Sequence, residues 1–179
     1  QNVGDSYRLG IEFDGNFKIS KKLSWASNLS LSENKNIDFY FKRDGVLKNL
    51  GNTNISFSPN LIAASSLQYK INKKTLISVL TKYVGDQYMG NIDSDLSKLS
   101  SYSTTDLNLR YQPINFPFFH DINFTMLINN IFGFKYVSNG YFYTFDDDYS
   151  LPGIIQTVEG AGYYPQAERN FLIGISVRF

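Results

Sequence analysis

Seven segments of the chain alternate large apolar residues with polar ones at a period of two, the pattern of strands with one apolar and one polar face. The first, 7–19, sets Tyr7, Leu9, Ile11, Phe13, Phe17 and Ile19 against Arg8, Glu12, Asp14, Asn16 and Lys18, with Gly15 interrupting the apolar side. In 23–33, Leu23, Trp25, Leu29 and Leu31 oppose Ser24, Asn28, Ser30 and Ser32. Segment 60–71 sets Leu61, Ala63, Leu67, Tyr69 and Ile71 against Asn60, Ser66, Gln68 and Lys70; segment 75–84 sets Ile77, Val79 and Tyr83 against Ser78 and Lys82, with Leu80 out of step. Segment 101–112 opposes Leu107, Leu109 and Tyr111 to Asp106, Asn108, Arg110 and Gln112. Segment 121–132 opposes Ile122, Phe124, Met126 and Ile128 to Asn123, Thr125 and Asn129. The last, 171–179, reads FLIGISVRF, with Phe171, Ile173, Ile175, Val177 and Phe179 on one face.

Length separates these segments from ordinary strands. Soluble strands run to about 5–6 residues, whereas a strand tilted across a bilayer needs about 9–11. The connections also alternate. They are short at 20–22, 72–74 and 113–120, and long at 34–58, 85–100 and 133–162. A soluble sandwich has no reason to collect its long loops at one end, while membrane barrels do so. Trp25 and Tyr69 fall near the short turns, and Tyr7, Tyr83 and Tyr102 near the long loops, as aromatic girdles require. Hydrocarbon is therefore the expected cover for the apolar face, worth roughly 1.5–3 kcal/mol for each large side chain it buries.

The bulk composition agrees with this without deciding it. Among 179 residues there are 15 Phe and 13 Tyr but one Trp, two Met and no Cys, and the net charge is +1. The missing cysteines exclude disulfides, thiolate metal sites and a cysteine nucleophile. The near-neutral charge gives no field for nucleic acid. No apolar stretch approaches the ~20 residues of a membrane helix. Mean hydropathy is −0.24, which fits a soluble domain and equally a barrel with one lipid face and one wet face.

Seven strands are an odd number. Bacterial single-chain barrels close with an even number, and strands one and seven of a meander run parallel. A chain starting at Gln1 is then expected to be the C-terminal part of one larger β-barrel domain, residues 1–179 being barrel throughout. At this point the residues resemble the C-terminal barrel of TonB-dependent outer-membrane receptors. The resemblance runs through 52–91, through LINNIFGFKYVSNGYFY (127–143), where Asn129, Asn130, Phe132 and Tyr136 match the NN.F...Y pattern of a late strand, and through 163–179 with its terminal Phe. It implies an all-β, antiparallel transmembrane barrel of about 22 strands. It also implies a plug lying outside this chain, and a nutrient receptor in the outer membrane of a Gram-negative bacterium, importing a siderophore, vitamin, peptide or glycan. The implied partners are outer-membrane lipids, the remaining strands and plug, TonB through an N-terminal part absent here, and the barrel-assembly machinery. That machinery would read Phe171, Ile173, Ile175, Val177 and Phe179 as its signal. No cofactor is implied. A passive pore or other closed barrel without a plug is the alternative.

Several residues are candidates for chemistry. Tyr141, Tyr143, Asp146, Asp147 and Asp148 form a candidate substrate-facing loop, in a stretch that also holds Phe134, Tyr136, Phe142, Phe145, Tyr149, Tyr163 and Tyr164. Such rings serve a binding surface or pack loop against loop. The three acids lack the spacing of a calcium loop and are expected to form a solvated loop. Arg8, Glu12, Asp14, Lys82, Asp106 and Arg110 are expected to face the lumen. His120, the single histidine, falls in a short turn with no nucleophile beside it in sequence, which argues against a barrel hydrolase and for a non-enzyme. A soluble β-sandwich, the remaining class, would bury the apolar faces against each other.

Overall fold

Pairing follows chain order. The computed structural model describes residues 4–113 and 121–178, so His120, Phe179 and most of the 113–120 turn lie outside the described residues. The seven expected strands are β1 (Ser6–Lys18), β2 (Leu23–Asn36), β6 (Leu61–Lys70), β7 (Thr75–Val84), β10 (Tyr102–Tyr111), β11 (Asp121–Asn129) and β14 (Asn170–Arg178). They form one antiparallel sheet in the order β1-β2-β6-β7-β10-β11-β14. Among the described residues β1 and β14 pair with no third strand on their outer edges, and the sheet does not close on itself.

The register shows why the period-two pattern produces this sheet. Directly opposed residues in an antiparallel pair share a face. One row of partners crosses all seven strands: Phe17, Trp25, Leu67, Val79, Leu107, Ile128 and Phe171. A slip of one residue in any pair would break this row and turn a whole strand over. Phe17 and Trp25 stack at 5.2 Å within it, and the Trp25 indole donates to Ser65 Oγ at 2.8 Å.

Among the described residues no protein layer covers that face. Ile11 is 61% exposed and Ile175 64%. Ile122, opposite Val177, is the exception and is buried. The hydrophobic cluster of Phe39, Phe41 and Ile92 lies instead among the long loops, with Phe142 packed against it. A sandwich would have placed its core between two sheets; here the core stands at one end of a single sheet.

The long loops hold structure that alternation did not reveal. The 34–58 loop contains β3 (Tyr40–Arg43), β4 (Val46–Asn49) and β5 (Thr53–Asn54), which extends the sheet beside β2. The 85–100 loop contains β8 (Gln87–Tyr88), a 3-10 turn at Asp95–Ser97 and β9 (Lys98–Leu99). The 133–162 loop is mostly a long hairpin of β12 (Val137–Asp147) and β13 (Gln156–Pro165).

The Asn-Asn pair at the end of β11 sets the exit into that hairpin. Asn130 is buried and has φ +49. Its amide donates to the Asp106 carboxylate at 2.8 Å, its Nδ2 donates to the Phe134 carbonyl at 2.8 Å, and its Oδ1 accepts the Phe134 amide at 3.1 Å. Asn tolerates the left-handed region because its short amide can bond locally. Asn130→Ala loses all three side-chain bonds, the third being from Nδ2 to the Ala167 carbonyl at 3.5 Å, while keeping a Cβ at positive φ, and should cost about 2–4 kcal/mol in denaturant unfolding. Asn130→Gly relieves the backbone strain and should cost measurably less.

Candidate functional site

The β12–β13 hairpin has two faces with opposite fates. One packs onto neighbouring loops. Phe142 seats on Phe39, Phe41 and Ile92. Around it, Glu159 pairs with Arg43 and accepts the Ser94 hydroxyl, Lys42 lies 3.4 Å from Asp146, and the Tyr163 hydroxyl donates to the Leu96 carbonyl at 2.9 Å. The three long loops are joined into one body in this way.

The other face is a strip of rings. Tyr141 and Tyr143 lie 6.3 Å apart with planes 19° from parallel, and Tyr143 and Phe145 6.5 Å apart at 17°. Tyr164 continues the strip from β13, 6.1 Å from Tyr141. Cross-strand glycines lay the rings flat. Tyr141 is opposite Gly162 and Tyr143 opposite Gly160, and a Cβ at either glycine would run into the ring. Rings at strand spacing, the two central ones lying across glycines, tile a surface and leave one ring face open to solvent. Tyr141 and Tyr143 are each about half exposed, at 52% and 51%.

The root of the hairpin is tied to the sheet. Tyr136 stacks on Tyr102 at 4.5 Å. Tyr102 lies two residues before Thr104, the partner of Lys82, so its side chain belongs to the polar face and not to the girdle that its place near a long loop suggested. A cavity of about 650 Å³ opens here, bordered by Lys98, Tyr102, Phe134, Lys135, Tyr136 and Tyr163. Both lysines are engaged: Lys98 with Asp86 at 2.9 Å and Lys135 with Glu168 at 3.3 Å. Lys98 and the Ser101 amide hold the Asp86 carboxyl below its ordinary range, and Asp86 raises Lys98 in return.

The acid run divides by role. Asp146 faces Lys42 and accepts the Thr157 hydroxyl at 2.9 Å. Asp147 closes the hairpin turn, accepting the Tyr149 and Ser150 amides at 3.2 and 3.0 Å, and Ser150 lowers its carboxyl pKa. Asp148 sits beyond the end of β12. Among the described residues no group of three metal-ligating side chains converges. The register places Arg8, Glu12, Asp14, Lys82, Asp106 and Arg110 on one face, opposite the apolar row. Arg8 donates to Ser58 at 3.0 Å, Glu12 accepts from Ser30 at 3.5 Å, and Asp106 holds Asn130.

The loop-to-loop contacts of the β3–β4 hairpin were missed in sequence, although Asp44-Gly45 was a usable signal. With φ +56 and +75 these two residues form the mirror-image turn that short hairpins prefer. Asp44 then meets the long hairpin, its amide donating to Thr157 Oγ1 at 2.7 Å and its carboxylate accepting the Thr157 amide at 3.1 Å.

No protein-family model matches the chain, and no curated protein matches it in sequence. Solved structures match its fold. The siderophore receptor PiuA from Acinetobacter baumannii superposes with a TM-score of 0.67 at 17% identity, over 97% of this chain and 22% of that one. The ferric yersiniabactin uptake receptor FyuA from Yersinia pestis gives 0.65 at 17% identity, over 97% and 23%. The open form of the ferric-catecholate import receptor Fiu from E. coli K12 gives 0.62 at 15%, over 97% and 21%. The chain spans about a fifth of the length of these receptors. Its fold is that of a portion of these receptors.

Two outcomes follow for the loops. Gly160→Ala should lift Tyr143 from the sheet and loosen the hairpin by about 1–3 kcal/mol, read as faster amide exchange across β12–β13. The Asp44 carboxyl is held below its ordinary range, first by the Thr157 amide and then by Lys48. A depressed folded-state pKa gives stability that is present above the unfolded value and lost as pH falls through the folded one. Exchange protection of Thr157 should therefore hold at neutral pH and fall in acid, below the usual carboxylate range. Asp44→Asn should remove that pH dependence.

Proposed function

We propose that this chain supplies seven strands of a TonB-dependent receptor in the outer membrane of a Gram-negative bacterium, and that the receptor imports an iron–siderophore chelate. The observation that carries this is the uncovered apolar row running across all seven strands. Lipid covers such a face without leaving a backbone group unpaired, provided that further strands complete the ring at β1 and β14. The polar face, with Arg8, Glu12, Asp14, Lys82, Asp106 and Arg110, then faces the lumen and the plug. The short turns lie in the periplasm. Phe171, Ile173, Ile175 and Val177, with Phe179, present the strand that the assembly machinery reads.

The substrate-facing part is the ring strip of Tyr141, Tyr143, Phe145 and Tyr164. The stack of Tyr136 on Tyr102 roots the hairpin on the lumen side of the sheet, and the Phe142 face is used up against the other loops. The open ring faces are thereby left to the mouth of the barrel. The likeness in fold to receptors whose names specify siderophores supports the choice of an iron chelate over the vitamin, peptide and glycan alternatives.

Two measurements test this. Cells carrying the complete receptor should accumulate labelled ferric siderophore only when TonB is present, and Tyr141→Ala with Tyr143→Ala should weaken chelate binding without changing the amount of folded receptor. Passage of small solutes without TonB would point to a passive pore instead. In bilayer folding experiments Ile175→Arg should cost about 2–4 kcal/mol and Ser176→Arg far less. Equal tolerance of the two changes would contradict the assigned faces.

A further inference from the structure

Two short turns repeat one pattern. Lys18-Ile19-Ser20-Lys21-Lys22 leads from β1 to β2, and Lys70-Ile71-Asn72-Lys73-Lys74 from β6 to β7. The third residue plays the same part in each: Ser20 Oγ accepts the Lys22 amide at 3.1 Å, and Asn72 Oδ1 accepts the Lys74 amide at 2.8 Å. Because β2 pairs with β6, the turns lie side by side. The Lys70 amide donates to the Lys22 carbonyl at 2.7 Å, and Lys22 Nζ reaches the Ile71 carbonyl at 3.3 Å.

Half of the chain's twelve lysines gather on this rim, and neither turn contains an acid. Among the described residues none of the six is in an ion pair. Like charges this close repel one another, and a partner of opposite charge offsets that cost. Lys18 and Lys70 belong to the polar face, while Lys21, Lys22, Lys73 and Lys74 occupy the tips. On the other side of the same rim stand apolar and amphipathic groups: Ile19 at 57% exposure, Ile71 at 40%, the Phe17–Trp25 stack and Tyr69.

We propose that this rim binds the phosphate groups of anionic phospholipids in the leaflet at the short-turn end. The tip lysines meet phosphate, and Ile19, Ile71, Trp25 and Tyr69 sit at the acyl boundary. Clustered lysines beside a membrane-embedded element attract anionic headgroups, and interfacial rings fix the depth at which they do so. An acidic protein segment or free phosphate would use the lysines but has no use for the isoleucines and rings at the same level. This rests on the lipid-covered face proposed above.

The test uses the complete barrel in vesicles of phosphatidylcholine alone and of phosphatidylcholine mixed with phosphatidylglycerol. Lipid retained on the protein is measured by native mass spectrometry. The unaltered protein should retain phosphatidylglycerol preferentially. Replacing Lys21, Lys22, Lys73 and Lys74 together by Gln should lower that preference at least about fivefold, and replacing all four by Arg should keep it. High salt should weaken the preference of the unaltered protein, since exposed charges are screened. An undiminished preference in the Gln variant, or one indifferent to salt, would overturn the proposal. So would inorganic phosphate displacing the lipid at low concentration, which would make free phosphate the ligand. If the Gln variant does not fold, the salt series on the unaltered protein decides. Insertion without lipid preference sinks this inference alone, whereas failure to insert into either vesicle sinks the membrane reading beneath it.

Discussion

Hydrocarbon supplies no hydrogen-bond partner, so each backbone amide in a membrane must find one within the protein. A sheet meets that demand through its ladders, and the ladders here run unbroken from β1 to β14. The same ladders set the side-chain register, and the register is what separates the two faces. Phe17, Trp25, Leu67, Val79, Leu107, Ile128 and Phe171 can share a row only if six successive pairings are all in step. Charges such as Asp14, Lys82 and Arg110 are then delivered to the opposite face by the same geometry. One constraint, pairing at a period of two, thus fixes the chemistry of both faces of the sheet.

A sheet that leaves most of its apolar face uncovered among the described residues has to place its ordinary core elsewhere. It does so among the loops, where Phe39, Phe41, Ile92 and Phe142 exclude water from one another. The polar contacts around that core, Glu159 with Arg43 and Ser94 and Asp44 with Thr157, join residues more than sixty positions apart. Charged pairs at a surface contribute little individually. Their part is to fix which hairpin lies on which, after the apolar contact has brought the hairpins together.

Sequence reasoning recovered the seven long strands because alternation is a direct image of the two chemically different sides of a pleat. It recovered the polar face for the same reason. It missed β3, β4, β12 and β13 because those strands do not alternate. Phe142 is as apolar as Tyr141 and Tyr143, since one face packs on a core and the other carries the ring strip. Two apolar faces erase the period-two signal. Gly160 and Gly162 looked like loop residues, yet each lies in a strand under a ring. The acid run was legible only in part: a carboxylate that closes its own turn, as Asp147 does, cannot be told by sequence from one that awaits a ligand.

The glycines under the rings also bear on how such a strip could work. A tyrosine on a free loop loses rotamer freedom when it meets a ligand, at roughly 0.5–1.5 kcal/mol for each side chain immobilised. Tyr141 and Tyr143 have lost that freedom already, because each ring lies against a glycine backbone in a strand whose reverse face is held by Phe142. The ordering is supplied by folding, so ligand contact need not supply it. A shift of the hairpin would then move the rings as a unit and leave their spacing intact. The ring spacing and the placement of the hairpin thus rest on different contacts, the first on the glycines beneath the rings and the second on the Arg43, Asp44 and Glu159 contacts that hold the hairpin in place.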